Sequence, residues 1–111
     1  MSDCIFCKII NGEIPTNIIY EDEDFIAFHD INPQAKIHVL IIPKQHIETY
    51  MDVTEADLPL IGRLHVAIQN IAQQLDVDES GFRVINNCRA DGGQVVFHLH
   101  YHLLAGEKLP F

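Results

Sequence analysis

The chain of 111 residues is 48% hydrophobic, enough for one core in a single domain spanning 1–111, and its formal charge of −9 argues against nucleic acid as a partner. A small anionic substrate stays open, because backbone amides and histidines hold phosphate within acidic proteins, but no apolar run approaches the roughly 20 residues of a membrane span. The amino-terminal MSDCIFCKII turns polar too early for a secretory signal, and three cysteines, two of them as C-x-x-C, fit a reduced cytoplasmic setting better than a disulfide framework.

CIFCKIINGEIP predicts a short helix from Cys4 to Ile10, stopped by Asn11-Gly12 and then Pro15. NIIYEDEDFIAFHDI predicts two strands, Ile18 to Glu21 and Phe25 to Asp30, around an acidic tight turn. NPQAKI is a loop, and the near-continuous β-branched run IHVLIIPK is a third strand, central in its sheet. KQHIETY offers a single helical turn. The strongest helix lies between Thr54 and Asp76, where Ile61, Leu64, Ile68, Ile71 and Leu75 recur at spacings of three and four. Thr54 serves as its N-cap, with Pro59 delaying or bending the first regular turn. FRVINN and VVFHLHYHLL supply the last two strands. The sum is an α+β fold: an antiparallel sheet of about five strands, one long helix and a short N-terminal helix.

FHLHYHLLAG puts His98, His100 and His102 at every second position. A helix would scatter these imidazoles, whereas a strand turns all of them to one face. One reading of that face is a solvated or core-capping histidine row. A second is metal ligation, since two histidines one residue apart reach one zinc at about 2.0–2.1 Å per bond. All three cannot share it, because the outer pair is about 13 Å apart along a strand. A third is nucleophilic catalysis, in which imidazole attacks phosphorus and splits one hard displacement into two easier ones. Gly92-Gly93 and Gln94, just upstream, favour the third reading, since a glycine pair lets backbone amides approach an anion.

Cys4 and Cys7 are spaced for zinc or redox chemistry, but the redox reading needs a βαβ context that is missing. Two cysteines alone do not close a zinc site, so His46 and one member of the histidine row are the candidate partners; two buried cysteines packed as apolar residues are the alternative. Asp30 is either a turn-initiating carboxylate or an acceptor for sugar hydroxyls. His38 opens the central strand, where a lone histidine is more often structural; His29 and His65 receive no role.

The run H-L-H-Y-H-L-L resembles the signature of the histidine triad superfamily. CIFCKIINGEIP, AFHDINPQAKIHVLIIPKQHI and NNCRADGGQ resemble the corresponding blocks of its nucleotide-binding protein branch, and together they cover nearly the whole chain in order. The resemblance implies a homodimer that cleaves purine nucleoside 5′-phosphoramidates or aminoacyl adenylates at the α-phosphorus, releasing AMP through a nucleotidyl-histidine. It assigns the nucleophile to His100, phosphate contact to His102, a supporting hydrogen-bond network to His38, and a place near the phosphate to Asn87. Gly93 would offer its backbone amide, Asp30 would bind ribose, and Ile5, Phe6, Ile9, Phe28 and Ile31 would form the purine pocket. The family often has Ser or Thr where this chain has Val95, which leaves only a backbone N–H there to donate. Branches such as the galactose-1-phosphate uridylyltransferases carry zinc in a pattern that maps to Cys4, Cys7, His46 and His98, a closed structural site with no metal needed for catalysis. Dinucleoside polyphosphate hydrolysis, a regulatory nucleotide-binding protein, and a zinc hydrolase using His98 and His100 are the rival readings.

Overall fold

The computed structural model describes residues 3–111. Its elements are helix α1 (Ile5–Ile10), strands β1 (Ile18–Glu21), β2 (Phe25–His29) and β3 (Ile37–Pro43), helix α2 (Leu58–Gln74), and strands β4 (Phe82–Ile85) and β5 (Tyr101–Ala105). The strands form one sheet in the order β1-β2-β3-β5-β4, every neighbouring pair antiparallel. The expected α+β architecture is therefore present, with β3 central and buried along almost its whole length.

Period-two alternation sorts the sheet into two apolar layers. Phe25 and Ala27 of β2, Val39 and Ile41 of β3, and Leu103 and Ala105 of β5 face α2, whose Leu64, Ala67 and Ile71 complete that core. Ile26, Phe28, Leu40 and Ile42 point the opposite way and pack with Phe6 and Ile9 of α1. Among the described residues, no helix is long and apolar enough to cross a membrane.

Several boundaries differ from the sequence expectation. The long helix begins at Leu58 rather than Thr54, because Pro59 belongs in a first helical turn, where no N–H is required of it. Thr54 precedes a separate 3-10 turn at Glu55–Asp57, its N–H and its hydroxyl both donating to the Asp57 carboxylate. The far end closes as a Schellman motif: Val77 N–H reaches the Ala72 carbonyl, Asp76 N–H reaches Gln73, and Asp76 adopts φ 62°. The single turn expected within KQHIETY sits later, at Tyr50–Asp52, where Thr49 caps it. Strand β2 stops at His29 and β4 at Ile85, short of Asp30 and Asn87.

The largest difference concerns the histidine row. Strand β5 starts at Tyr101, not Val95, so His98 and His100 precede the ladder. Pairing runs from Ile37↔Ala105 to Ile41↔Tyr101, and continuing that register would set Leu99 opposite Pro43. Proline has no N–H to give, and Leu99 N–H turns instead to the Ile47 carbonyl. The alternation nonetheless persists: Leu99 joins the α2-side core, while Phe6 of α1 packs edge-on to both His98 and His100.

Candidate active site and metal centre

His100 is 7% exposed, and its Nδ1 lies 2.8 Å from the His98 carbonyl oxygen. A carbonyl only accepts, so Nδ1 carries the proton and Nε2 carries the lone pair. The acceptor of that proton is therefore a main-chain oxygen two residues upstream. Burial pushes the His100 pKa down, against the opposing effect of that hydrogen bond, which keeps the ring neutral at pH 7. Asn86 Nδ2 donates to the His100 carbonyl at 2.9 Å and holds its backbone. Sequence reasoning missed Asn86; its only signal was being the first residue of an Asn pair closing a strand. Asn87 instead lines a small cleft with Gln34, His38, Ile85 and His102.

His102 and His38 form a chain of fixed tautomers. The Gln34 backbone N–H donates to His38 Nδ1 at 3.0 Å, so the neutral ring bears its proton on Nε2. His38 Nε2 donates in turn to His102 Nδ1 at 2.9 Å. That leaves the proton of His102 on Nε2, a buried atom without a partner among the described residues. An unmet buried donor costs about 1–3 kcal/mol, and an anionic oxygen arriving there would recover it. Burial first, then the neighbouring His100 and His38, push His102 down to about 4. Asp30 accepts the Asn32 N–H at 2.7 Å and sets its other oxygen 3.5 Å from His38 Nε2.

The remaining expected contacts divide. Phe6, Ile9 and Phe28 are buried together, with Phe6 and Phe28 5.8 Å apart edge to face. Ile5 and Ile31 stand at the surface, Ile31 being 91% exposed. A Cβ on Gly92 would sit 2.5 Å from the Cys88 carbonyl oxygen, so the turn admits only glycine there. Gly93 has φ +80°, and its N–H is taken inside the turn by the Ala90 carbonyl at 3.0 Å. Gln94 locks the segment: its Oε1 accepts Arg89 N–H, and its Nε2 donates to the Glu48 and Val96 carbonyls. Val95 is 87% exposed.

Cys4, Cys7, His46 and His98 converge from three separate segments. His98 Nε2 donates to the Pro43 carbonyl at 2.8 Å, which leaves its Nδ1 lone pair facing Cys4 Sγ at 3.3 Å, Cys7 Sγ at 3.6 Å and His46 Nδ1 at 3.1 Å. His46 Nδ1 is 3.3 Å from Cys7 Sγ. Bond lengths to zinc imply tetrahedral edges of about 3.3 Å between nitrogens and about 3.5 Å between nitrogen and sulfur, so the donor set fits zinc. The carbonyl behind His98 is the kind of outer partner that orients a metal-binding imidazole. The group Asp30, His38 and His102 fits an ion poorly, because His38 Nδ1 already accepts an N–H and its Nε2 must keep a proton. His98 and His100 likewise do not share an ion: the one lone pair of His98 lies among the cysteines, and His100 Nδ1 is held on a carbonyl.

Known proteins resemble this arrangement throughout the chain. The HIT domain family model matches residues 11–109. The purine nucleoside phosphoramidase of Escherichia coli K12 is 45% identical over 107 residues, covering 96% of this chain and 90% of that protein. A histidine triad protein from Clostridium difficile superposes with a TM-score of 0.96 at 51% identity, covering 100% of this chain and 96% of the other. A HIT family hydrolase from Legionella pneumophila Philadelphia 1 gives 0.95 at 43% identity, covering 98% and 97%. With its triad, its fold and nearly its full length matched, the chain belongs to the histidine triad (HIT) family and groups with that family's hydrolases.

Proposed function

We propose that this HIT hydrolase is a purine nucleoside 5′-phosphoramidase that transfers the nucleotide to His100 and then releases AMP. The observation carrying the reading is the tautomer of His100, whose Nδ1–H is held by the His98 carbonyl so that a neutral Nε2 is free to attack. Attack forms a bond from Nε2 to the α-phosphorus and breaks the bond from phosphorus to the leaving amine, which departs with a proton taken from solvent, while His100 keeps its Nδ1–H on the His98 carbonyl. Water then cleaves the nucleotidyl-imidazole and regenerates the ring. The unpartnered His102 Nε2–H meets a phosphate oxygen, with His38 holding its tautomer and Asn87 and the Gly93 turn beside it. The Val95 main-chain N–H takes the place of the hydroxyl this position lacks. Asp30 binds ribose, and Ile5, Phe6, Ile9, Phe28 and Ile31 bound the purine. Aminoacyl adenylates present the same phosphorus with a carboxylate as leaving group.

Cys4, Cys7, His46 and His98 hold a structural zinc in this reading, which supplies a cross-link between segments. A reduced, cytoplasmic setting goes with it, since cysteines bind metal as thiolates. A second copy of the chain covers the groove lined by Tyr50, Met51, Leu58, Val84 and Tyr101, next to the edge strand β4. Tyr50 is 56% exposed, Met51 66% and Leu58 56%, an apolar surface that a partner would cover. Light scattering is expected to give twice the chain mass, and a monomer at micromolar concentration would remove the dimer.

The substrate test compares adenosine 5′-phosphoramidate with a dinucleoside polyphosphate. AMP release from the phosphoramidate is expected to be at least about tenfold faster in kcat/KM, with an adenylyl adduct on the protein after acid quench. Faster cleavage of the polyphosphate reassigns the substrate, and binding without turnover leaves a regulatory nucleotide-binding protein. Burial depresses the His38 and His102 pKa values below the ordinary 6.5, so the relay stays neutral to lower pH. The acid limb of the same assay should therefore have its midpoint below 6.5. A midpoint above 6.5 would contradict a neutral relay.

A further inference from the structure

The nucleophilic ring and the metal site meet in one residue. His98 turns its imidazole toward Cys4, Cys7 and His46, while its main-chain carbonyl holds the proton of His100 Nδ1. Neither histidine lies in the ladder of β5, which begins at Tyr101. Between the Gln94-locked turn and that point, the described hydrogen-bond anchors are Leu99 N–H on the Ile47 carbonyl, Asn86 on the His100 carbonyl, and the His98 side chain itself. A second connection runs through Phe6, which stands between Cys4 and Cys7 on α1 and packs edge-on at 5.9 Å from His98 and 5.1 Å from His100.

We propose that the Cys4–Cys7–His46–His98 centre acts as a thiol-dependent positioning device for His100, so that oxidising its cysteines slows nucleotidyl transfer while the nucleotide site still binds. The inference rests on the reading of His100 as nucleophile and of the four residues as a zinc site. The oxidant is a hydroperoxide. Two thiolates give up two electrons and form one S–S bond, the peroxide takes those electrons with two protons, and its O–O bond breaks to give an alcohol and water, or two waters from hydrogen peroxide. A zinc held by those thiolates would be released as the free divalent ion. Cys4 Sγ accepts the Cys7 N–H at 3.3 Å, which keeps the two sulfurs close and on one turn. Pulling them together removes both sulfur partners from His98 Nδ1, while Phe6 stays packed with Phe28 in the buried cluster beside the strands. The His98 carbonyl loses its fixed direction, and with it the single tautomer of His100 is lost. A residue acting only on overall stability would not separate turnover from binding in this way.

The test treats zinc-loaded protein with hydrogen peroxide, then with a dithiol and zinc. It follows AMP release, AMP affinity, zinc content and the His100 tautomer in a long-range proton–nitrogen spectrum of labelled imidazoles. Expected are one zinc lost per chain, kcat down at least about tenfold, AMP affinity changed less than about threefold, and mixed protonation at His100 Nδ1, all restored by reduction with zinc. Cys88→Ser should respond as the wild type does, which separates the pair from the remaining thiol. Cys7→Ser, followed by circular dichroism to check folding, should start slow and gain no further oxidant sensitivity. An oxidised, zinc-free protein with unchanged kcat and a pure Nδ1–H tautomer overturns the proposal, as does reduced protein that takes up no zinc. His100→Ala is assayed separately: full turnover in that variant removes the nucleophile reading itself and with it this device.

Discussion

Replacing His100 with alanine is expected to reduce AMP release from an adenosine 5′-phosphoramidate by on the order of 10³-fold or more, about 4 kcal/mol of transition-state stabilisation. AMP affinity should change by less than about threefold, because the ring contributes its lone pair to the reaction rather than a large contact area to the nucleotide. The reason lies in the arrangement around the ring. His100 is buried, neutral at pH 7 and held in one tautomer by the His98 carbonyl, so Nε2 needs no separate base to become nucleophilic. The His38–His102 relay then directs a second N–H at the same region. Mass spectrometry after acid quench should show the adenylyl adduct on the wild type and none on His100→Ala. Turnover that survives in the variant would assign the attack to water and remove the covalent route.

Stripping the proposed zinc from Cys4, Cys7, His46 and His98 is expected to destabilise the fold. Zinc that binds the folded chain but not the unfolded one adds about 2.7–4.1 kcal/mol when its free concentration is 100–1,000 times Kd. For a domain of this length that corresponds to a fall of about 10 °C or more in Tm on chelation. The effect follows from where the ligands come from. Cys4 and Cys7 lie at the start of α1, His46 follows β3 and His98 precedes β5, so one ion would join residues up to 94 positions apart. Without it the same atoms meet through weak sulfur–nitrogen contacts at 3.3–3.6 Å and a nitrogen–nitrogen contact at 3.1 Å. Calorimetry with and without chelator reads the difference, and Cys7→Ser should melt low and ignore the chelator. A Tm unmoved by chelator in protein shown to hold zinc would deny the site a structural part.

Periodicity carried much of the fold. The spacing of Leu64 and Ile71 along α2 and the β-branched run of β3 each state a buried face locally, because helix and strand repeat at 3.6 and 2 residues whatever surrounds them. Spacing paired Cys4 with Cys7 and offered His46 and one member of the histidine row as partners, the resemblance singled out His98, and the structure gathers the four donor atoms within 4.8 Å of one another. Element ends were less legible. Pro59 limits where a helix can start in a way composition does not state, and Pro43 limits β5 from across the sheet, 58 positions before Tyr101 in sequence. The roles of Asn86 and the Gln34 amide were hidden because both work on backbone atoms or through them, and main-chain geometry has no residue type to betray it.

What the sequence by itself determined is the inventory and the period: three imidazoles at alternate positions, a glycine turn ahead of them, two cysteines one turn apart, and the apolar faces that build two layers on one sheet. What only the tertiary structure decided is how each imidazole is used. His98 gives its proton to Pro43 and its lone pair to the cysteines, His100 gives its proton to His98, and His102 keeps an unmet N–H because Gln34 fixes His38 from the far side. The physical reason is that an imidazole has two nitrogens and one proton when neutral. Which nitrogen holds it depends on acceptors and donors brought close by folding, and those partners stand as far as 94 residues away along the chain.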